Sequence, residues 1–155
     1  MAIPGNFDGT QDNTLFITGL HTVGAATTGN SGASASFNLG DVPVDFTVQI
    51  IVSSTSVASG DCAIITVQGS TTSDFSAGNH ILAVTAFGHP TIINTTIGAG
   101  LSAARGTGSY AIRCSNVAFN DTASPVNCPY VRTQVKTIGA GTSGITYAAR
   151  LTLSN

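Results

Sequence analysis

From Val44 to Ser54 the chain alternates with a period of two. Phe46, Val48, Ile50 and Val52 fall on one side, and Asp45, Thr47, Gln49 and Ile51 on the other. Only an extended strand sends successive side chains to opposite faces, so this run has one covered face and one wetter face. The pattern recurs near the end. In Tyr130 to Ile138, Val131, Thr133 and Val135 share a face opposite Tyr130, Arg132, Gln134 and Lys136, while Ile145 to Leu153 places Ile145, Tyr147, Ala149, Leu151 and Leu153 inward. The Gly-rich run Gly139 to Gly144 between them reads as a hairpin loop.

Other strands follow by run and punctuation. Leu15-Phe16-Ile17 opens the first, and Ser34 to Leu39 begins the next after the small-residue loop Gly24 to Ser36. Cys62 to Gln68 is apolar nearly throughout, which predicts a strand covered on both sides. Ile81 to Phe87 and Tyr110 to Cys114 are further strands, with Val117 to Asp121 extending the latter and Thr122 to Pro129 a turn. Between Thr91 and Arg105 the isoleucines look strand-like, and Leu101 to Arg105 carries the only helical character, about one turn. The fold expected is all-β, an antiparallel β-sandwich of about eight strands with jelly-roll topology. Residues 1–13 read as an N-terminal arm and 14–155 as a single jelly-roll β domain.

Composition bears on what such a sandwich does. Charged residues make up 8% of the chain, against about 25% in an ordinary soluble domain. Every acid is Asp and Lys136 is the sole lysine. A domain alone in water usually carries more charge, so this surface fits a chain that packs against neighbours. The net charge of −2 gives no pull toward nucleic acid or an anionic membrane, and no stretch approaches the ~18 apolar residues of a membrane span. Met1 to Asp8 lacks the basic start and apolar run of a secretory signal, so synthesis in a cytoplasm is expected.

Catalytic chemistry does not assemble from these residues. Asp8, Asp12, Asp41, Asp61, Asp74 and Asp121 sit beside Gly, Asn or Ser at turn positions, where Asp bonds nearby backbone. Asp45 lies on the polar face of a strand. No G-x-S-x-G elbow occurs, and the Gly139–Gly144 loop lacks the Lys and following helix of a phosphate loop. Cys62, Cys114 and Cys128 show no metal-ligand spacing with His21, His80 and His89. They read as reduced, buried small hydrophobes, with a Cys114–Cys128 bridge left open. The expectation is no enzyme, no metal and no cofactor.

Two features suggest contact with a partner. Tyr130, Arg132, Gln134 and Lys136 share one face of one strand and include two of the five basic residues; Arg and Tyr are enriched at interface hot spots. Ile3, Pro4 and Phe7 are apolar residues placed before any fold, and an ordered role for them requires packing on another surface.

The order of features resembles the small jelly-roll cement (decoration) proteins of tailed bacteriophages, the Bordetella phage cement protein family. The resemblance covers most of the chain. It rests on Leu15-Phe16 after an Asp/Asn-rich arm, on Leu39-Gly40-Asp41 leading into a long hydrophobic strand, on Val67-Gln68-Gly69-Ser70 followed by Ser73-Asp74-Phe75, and on Pro129-Tyr130-Val131-Arg132 followed by Ile145 to Leu153. Gly100–Arg105 and the cysteines fall outside it. The resemblance implies a strand ending in a loop of the QGS…DFS kind and an Arg-bearing strand hairpinned to a short apolar one. It further implies a non-enzymatic virion protein on the capsid exterior. Such a protein clamps adjacent capsomers of a major capsid protein after the shell expands, associates with itself as a dimer or trimer, and binds neither nucleic acid nor membrane. A tail-fibre or receptor-binding β module is the alternative class.

Overall fold

The computed structural model describes residues 16–23, 31–33, 36–119, 124–139 and 144–153. Among them are eleven strands and one helix: β1 (Phe16–Val23), β2 (Ser31–Ala33), β3 (Phe37–Asn38), β4 (Asp45–Thr55), β5 (Cys62–Ser70), β6 (His80–Gly88), α1 (Pro90–Ile97), β7 (Gly108–Ser115), β8 (Val117–Ala118), β9 (Val126–Asn127), β10 (Tyr130–Ile138) and β11 (Ile145–Leu153). All strand pairs are antiparallel. One sheet runs β1-β11-β4-β7 and the other β2-β10-β5-β6, with β3 also on β10; β8 and β9 form a separate small ladder. The chain is an all-β sandwich, as its alternation predicts.

The two inner faces supply the core. Phe46, Val48, Ile50 and Val52 of β4 meet Ala63, Ile65 and Val67 of β5, Val131 and Val135 of β10, and Ile145, Tyr147, Ala149 and Leu151 of β11. Burying each large apolar side chain here contributes roughly 1.5–3 kcal/mol. A polar contact crosses this layer: the hydroxyls of Thr133 and Tyr147, both fully buried, lie 3.0 Å apart. A buried hydroxyl without a partner is costly, so this contact fixes how β10 faces β11.

That geometry corrects the expected hairpin. β10 and β11 lie in opposite sheets: β10 pairs with β5 from Tyr130↔Ser70 to Ile138↔Cys62, and β11 pairs with β4 and β1. The connection after Ile138 therefore crosses between the layers. Both strands alternate because each presents an apolar face to the same core from opposite sides, and the alternation is equally compatible with a hairpin.

The second correction concerns residues 90–105. Pro90–Ile97 is a helix, and Leu101 to Arg105 is not. β-branched residues disfavour helix weakly, but the ends here are strong. Pro90 stands at the helix start with its φ already helical. Gly98, at φ 65°, closes the far end with its N–H on the Asn94 carbonyl. Asn94 then holds the following turn by donating to the Leu101 carbonyl (2.8 Å) and accepting from its N–H (2.6 Å). Ile93 is fully buried against Cys62 and Ala86, with Ile64, Ile97, Leu101 and Ile138 around them. Tertiary burial outweighs propensity. The helix lies on the outer face of the β5–β6 sheet and covers its first half, which is why β5 reads as apolar on both sides.

Smaller differences have local causes. β2 lies inside the stretch expected to be loop, because Ser31–Ala33 borrows its ladder from Gln134–Lys136 rather than from any pattern of its own. The region expected as a strand extension and a turn after Tyr110–Cys114 holds the β8–β9 ladder. Arg105 closes one end of the sandwich. Its backbone bonds Gly88 in both directions, and its guanidinium lies 5.1 Å from the Phe87 ring centre and 4.6 Å from that of Tyr110. The three cysteines are buried and unpaired. No helix among the described residues is long and apolar enough to cross a membrane.

Candidate functional site

The outer face of the β2-β10-β5-β6 sheet, beyond α1, carries the candidate site. β10 exposes its side chains as its alternation predicts: Val131, Thr133, Val135 and Thr137 are buried, Lys136 is exposed, and Tyr130, Arg132 and Gln134 are half-buried on the other side. The structure brings these four together in one row. Ile3, Pro4 and Phe7 lie outside the described residues.

Registry extends the row into a patch. Arg132 stands opposite Gln68, which stands opposite Ile81; Gln134 stands opposite Thr66, which stands opposite Val84. Neighbouring strands are about 4.8 Å apart, so these rows span three strands and roughly 10 Å. Ile81 and Val84 are 64% and 43% exposed. The face therefore has a polar centre on β10 and β5 and an apolar flank on β6.

Arg132 is held rather than free. Its Nε donates to Gln68 Oε1 at 2.9 Å. Gln68 Nε2 donates to Gln134 Oε1, and the Thr66 hydroxyl donates to the Gln134 backbone carbonyl at 3.2 Å. The Arg132 guanidinium carbon lies 4.1 Å from the centre of the Phe75 ring, a cation–π geometry. Partial desolvation lowers the Arg132 pKa from its usual value, within a range where the side chain stays charged at neutral pH.

Phe75 belongs to the loop after β5, and the loop is built to hold it. Its φ is +57°, the one positive value among described non-glycine residues, and for a bulky side chain that conformation is strained. Ser70 donates to the Ala77 carbonyl (2.8 Å) and accepts from the Thr72 N–H (3.1 Å). The Phe75 N–H reaches the Thr72 carbonyl, and Asn79 donates to the Phe75 carbonyl (2.7 Å). Asp74 accepts from the Ser76 N–H and hydroxyl, which lowers its pKa; this is the turn role its sequence context predicts. Phe75 ends up buried, 6% exposed, with its ring against Arg132.

Sequence reasoning found the β10 residues and missed Thr66, Gln68, Phe75, Ile81 and Val84. Phe75 was visible as the one apolar residue of a polar loop. The others were hidden because cross-strand neighbours follow from pairing, which one strand's pattern does not reveal.

Asp61 is buried, accepts from the Ser56 hydroxyl at 2.6 Å, and through its carbonyl accepts from the His89 N–H. A groove of about 350 Å³ between the β7 and β6 edges is lined by Asp45, Leu82, Arg113, Cys114 and Val117 among others. Burial pushes the Cys114 thiol up to about 11, so it stays protonated at neutral pH, and the thiolate is the form that reacts. No group of three or more His, Cys, Asp or Glu side chains placed to hold a metal occurs among the described residues.

The features so far define a class, an antiparallel all-β sandwich with one organised sheet face. Compared with protein-family models, curated proteins and solved structures, the chain matches none.

Proposed function

We propose that this chain is a non-enzymatic capsid cement protein. In this reading it is a jelly roll that sits on the exterior of an icosahedral phage head and clamps adjacent capsomers of the major capsid protein once the shell has expanded. The observation that carries the reading is the outer sheet face, where Arg132 and its neighbours form a rigid polar centre beside exposed Ile81 and Val84. Such a face suits a flat protein surface better than a small substrate, which needs a concave site.

The strand order supports the jelly-roll part. With β2 and β3 taken as one edge strand and the β8–β9 ladder set aside, eight strands remain. Their pairs nest: first with last (β1–β11), second with seventh (β2–β10), third with sixth (β4–β7) and fourth with fifth (β5–β6). The low charge supports the assembly part. Each copy would bury a modest interface across a seam. Preferential binding to the expanded shell stabilises that state by mass action, and self-association as a dimer or trimer on local symmetry axes would add avidity. The protein would be made in the host cytoplasm and carried on the virion, with no cofactor, nucleic acid or membrane involved.

The test is co-sedimentation of the purified chain with expanded and unexpanded heads that lack it. Saturable binding to expanded heads, together with greater resistance of those heads to heat, is the expected result. Absence of binding to either form would refute the proposal, and attachment only to tails would move the chain to the tail-fibre class.

A further inference from the structure

We propose that the outer face of the β2-β10-β5-β6 sheet recognises a carboxylate on its protein partner, with Arg132 as the receptor and Lys136 as the flanking charge. This rests on the cement reading, in which the partner surface is the outside of the shell, and adds the chemistry that the surface must present.

Four observations lead there. First, Arg132 is oriented in advance. The Arg132 Nε–H donates to Gln68 Oε1, the Phe75 ring lies against the guanidinium, and the terminal nitrogens have no further hydrogen bond among the described residues. That leaves the planar fork that fits a carboxylate with two parallel hydrogen bonds.

Second, the loop spends strain on this arrangement. Phe75 adopts a left-handed backbone to bring its ring beneath Arg132. Such strain persists where surrounding structure enforces it, and it clusters at binding sites.

Third, within the described residues the charge of this face is unanswered. Among the described residues no carboxylate pairs with Arg132 or Lys136. Of the four described acids, Asp61 is buried, Asp74 is turned to Ser76, Asp45 lies on the opposite sheet, and Asp41 is exposed in the bend after β3. The chain as a whole has a net charge of −2, so this patch is locally basic on a mildly acidic protein and is complementary to an acidic one.

Fourth, the flank selects protein over polyanion. Nucleic acid is held by many phosphate contacts, and this face offers two cations beside exposed Ile81 and Val84. A charged centre bordered by apolar side chains is the composition of a protein–protein hot spot.

Lys136 makes the test direct, since it is the sole lysine of the chain. Treating the chain bound to expanded heads with a zero-length carbodiimide joins amines to carboxylates in contact. The expected product is a peptide linking Lys136 to an Asp or Glu of the shell protein. Arg132→Gln should weaken head binding by about 10- to 100-fold, and Lys136→Gln, at an exposed side chain, should abolish the cross-link and flatten the salt dependence of binding.

The outcomes separate the two claims. If the wild-type chain does not bind heads, the cement reading fails. If it binds, but cross-links arise only from the N-terminal amine and Arg132→Gln binds as well as wild type, the carboxylate inference fails and the cement reading stands. Should Arg132→Gln not fold, the wild-type cross-link decides alone.

Discussion

Replacing Phe75 by Ala and by Gly tests the loop that supports Arg132, because the two variants should rank in an unusual order. Truncating a buried Phe to Ala costs about 3–5 kcal/mol. Phe75 lies outside the main core cluster, against the Arg132 guanidinium, so the low end, about 3 kcal/mol, is expected. Ala keeps the left-handed backbone strain of φ +57°, while Gly removes it, a gain of about 1–2 kcal/mol. Against that, Gly gives the unfolded chain more freedom, at a cost of about 0.4–1 kcal/mol. The balance leaves Phe75→Gly more stable than Phe75→Ala by roughly 0.5–1 kcal/mol, the reverse of the order at an ordinary position. Urea unfolding followed by circular dichroism reads the difference. With a slope near 2 kcal/mol/M, the Gly variant's midpoint should lie about 0.3–0.5 M higher. An Ala variant as stable as the Gly variant would show that the loop does not hold this backbone in solution. A loss below about 1 kcal/mol on truncation would show that the ring is not buried.

Three further outcomes are expected. Gly139→Ala should cost about 2 kcal/mol or more in urea unfolding, because at φ +124° a Cβ would meet the Asp61 carboxylate and the Gly60 carbonyl, with the Asp61 Cα at 2.9 Å; an unchanged midpoint would contradict that packing. Tyr147→Phe should cost about 1 kcal/mol through the lost contact to Thr133, with a neutral result placing that hydroxyl pair outside the fold's energetics. Stability should also fall in alkali: burial raises the Cys114 thiol from 9.0 to about 11 and raises Cys62, Cys128 and Tyr147 as well. The folded state thus holds these protons more tightly than the unfolded state, so its advantage is full below about pH 9 and is lost as pH rises toward about 11. Urea midpoints at about pH 8 and about pH 10.5 should differ less for Cys114→Ala than for wild type.

The sequence made strands legible where one face was apolar and hid whatever depended on which strands meet. β4, β10 and β11 were readable almost to the residue, since Phe46, Val131 and Ile145 each open a period-two run. The hairpin between β10 and β11 was misread because a glycine-rich link between two alternating strands looks the same whether it folds back within a sheet or crosses to the other. The helix at Pro90–Ile97 was misread for a different reason. Its isoleucines and threonines speak for a strand, and the decisive information was at its ends, Pro90 and Gly98, together with a buried slot for Ile93 formed by β5 and β6. Asp61 occupied a turn as expected, yet it is buried, since the chain folds over it from both sides. At the candidate site, the face of β10 was readable and the support beneath Arg132 was not, because Gln68 and Phe75 reach it only through pairing and loop geometry.

The measurement that bears most directly on the cement account is the abundance of this chain in virions purified from its source, by quantitative mass spectrometry against the major capsid protein. The account predicts a copy number of the same order as the shell subunit, lost together with head stability when the chain is removed. A few copies per particle, or none, would contradict it.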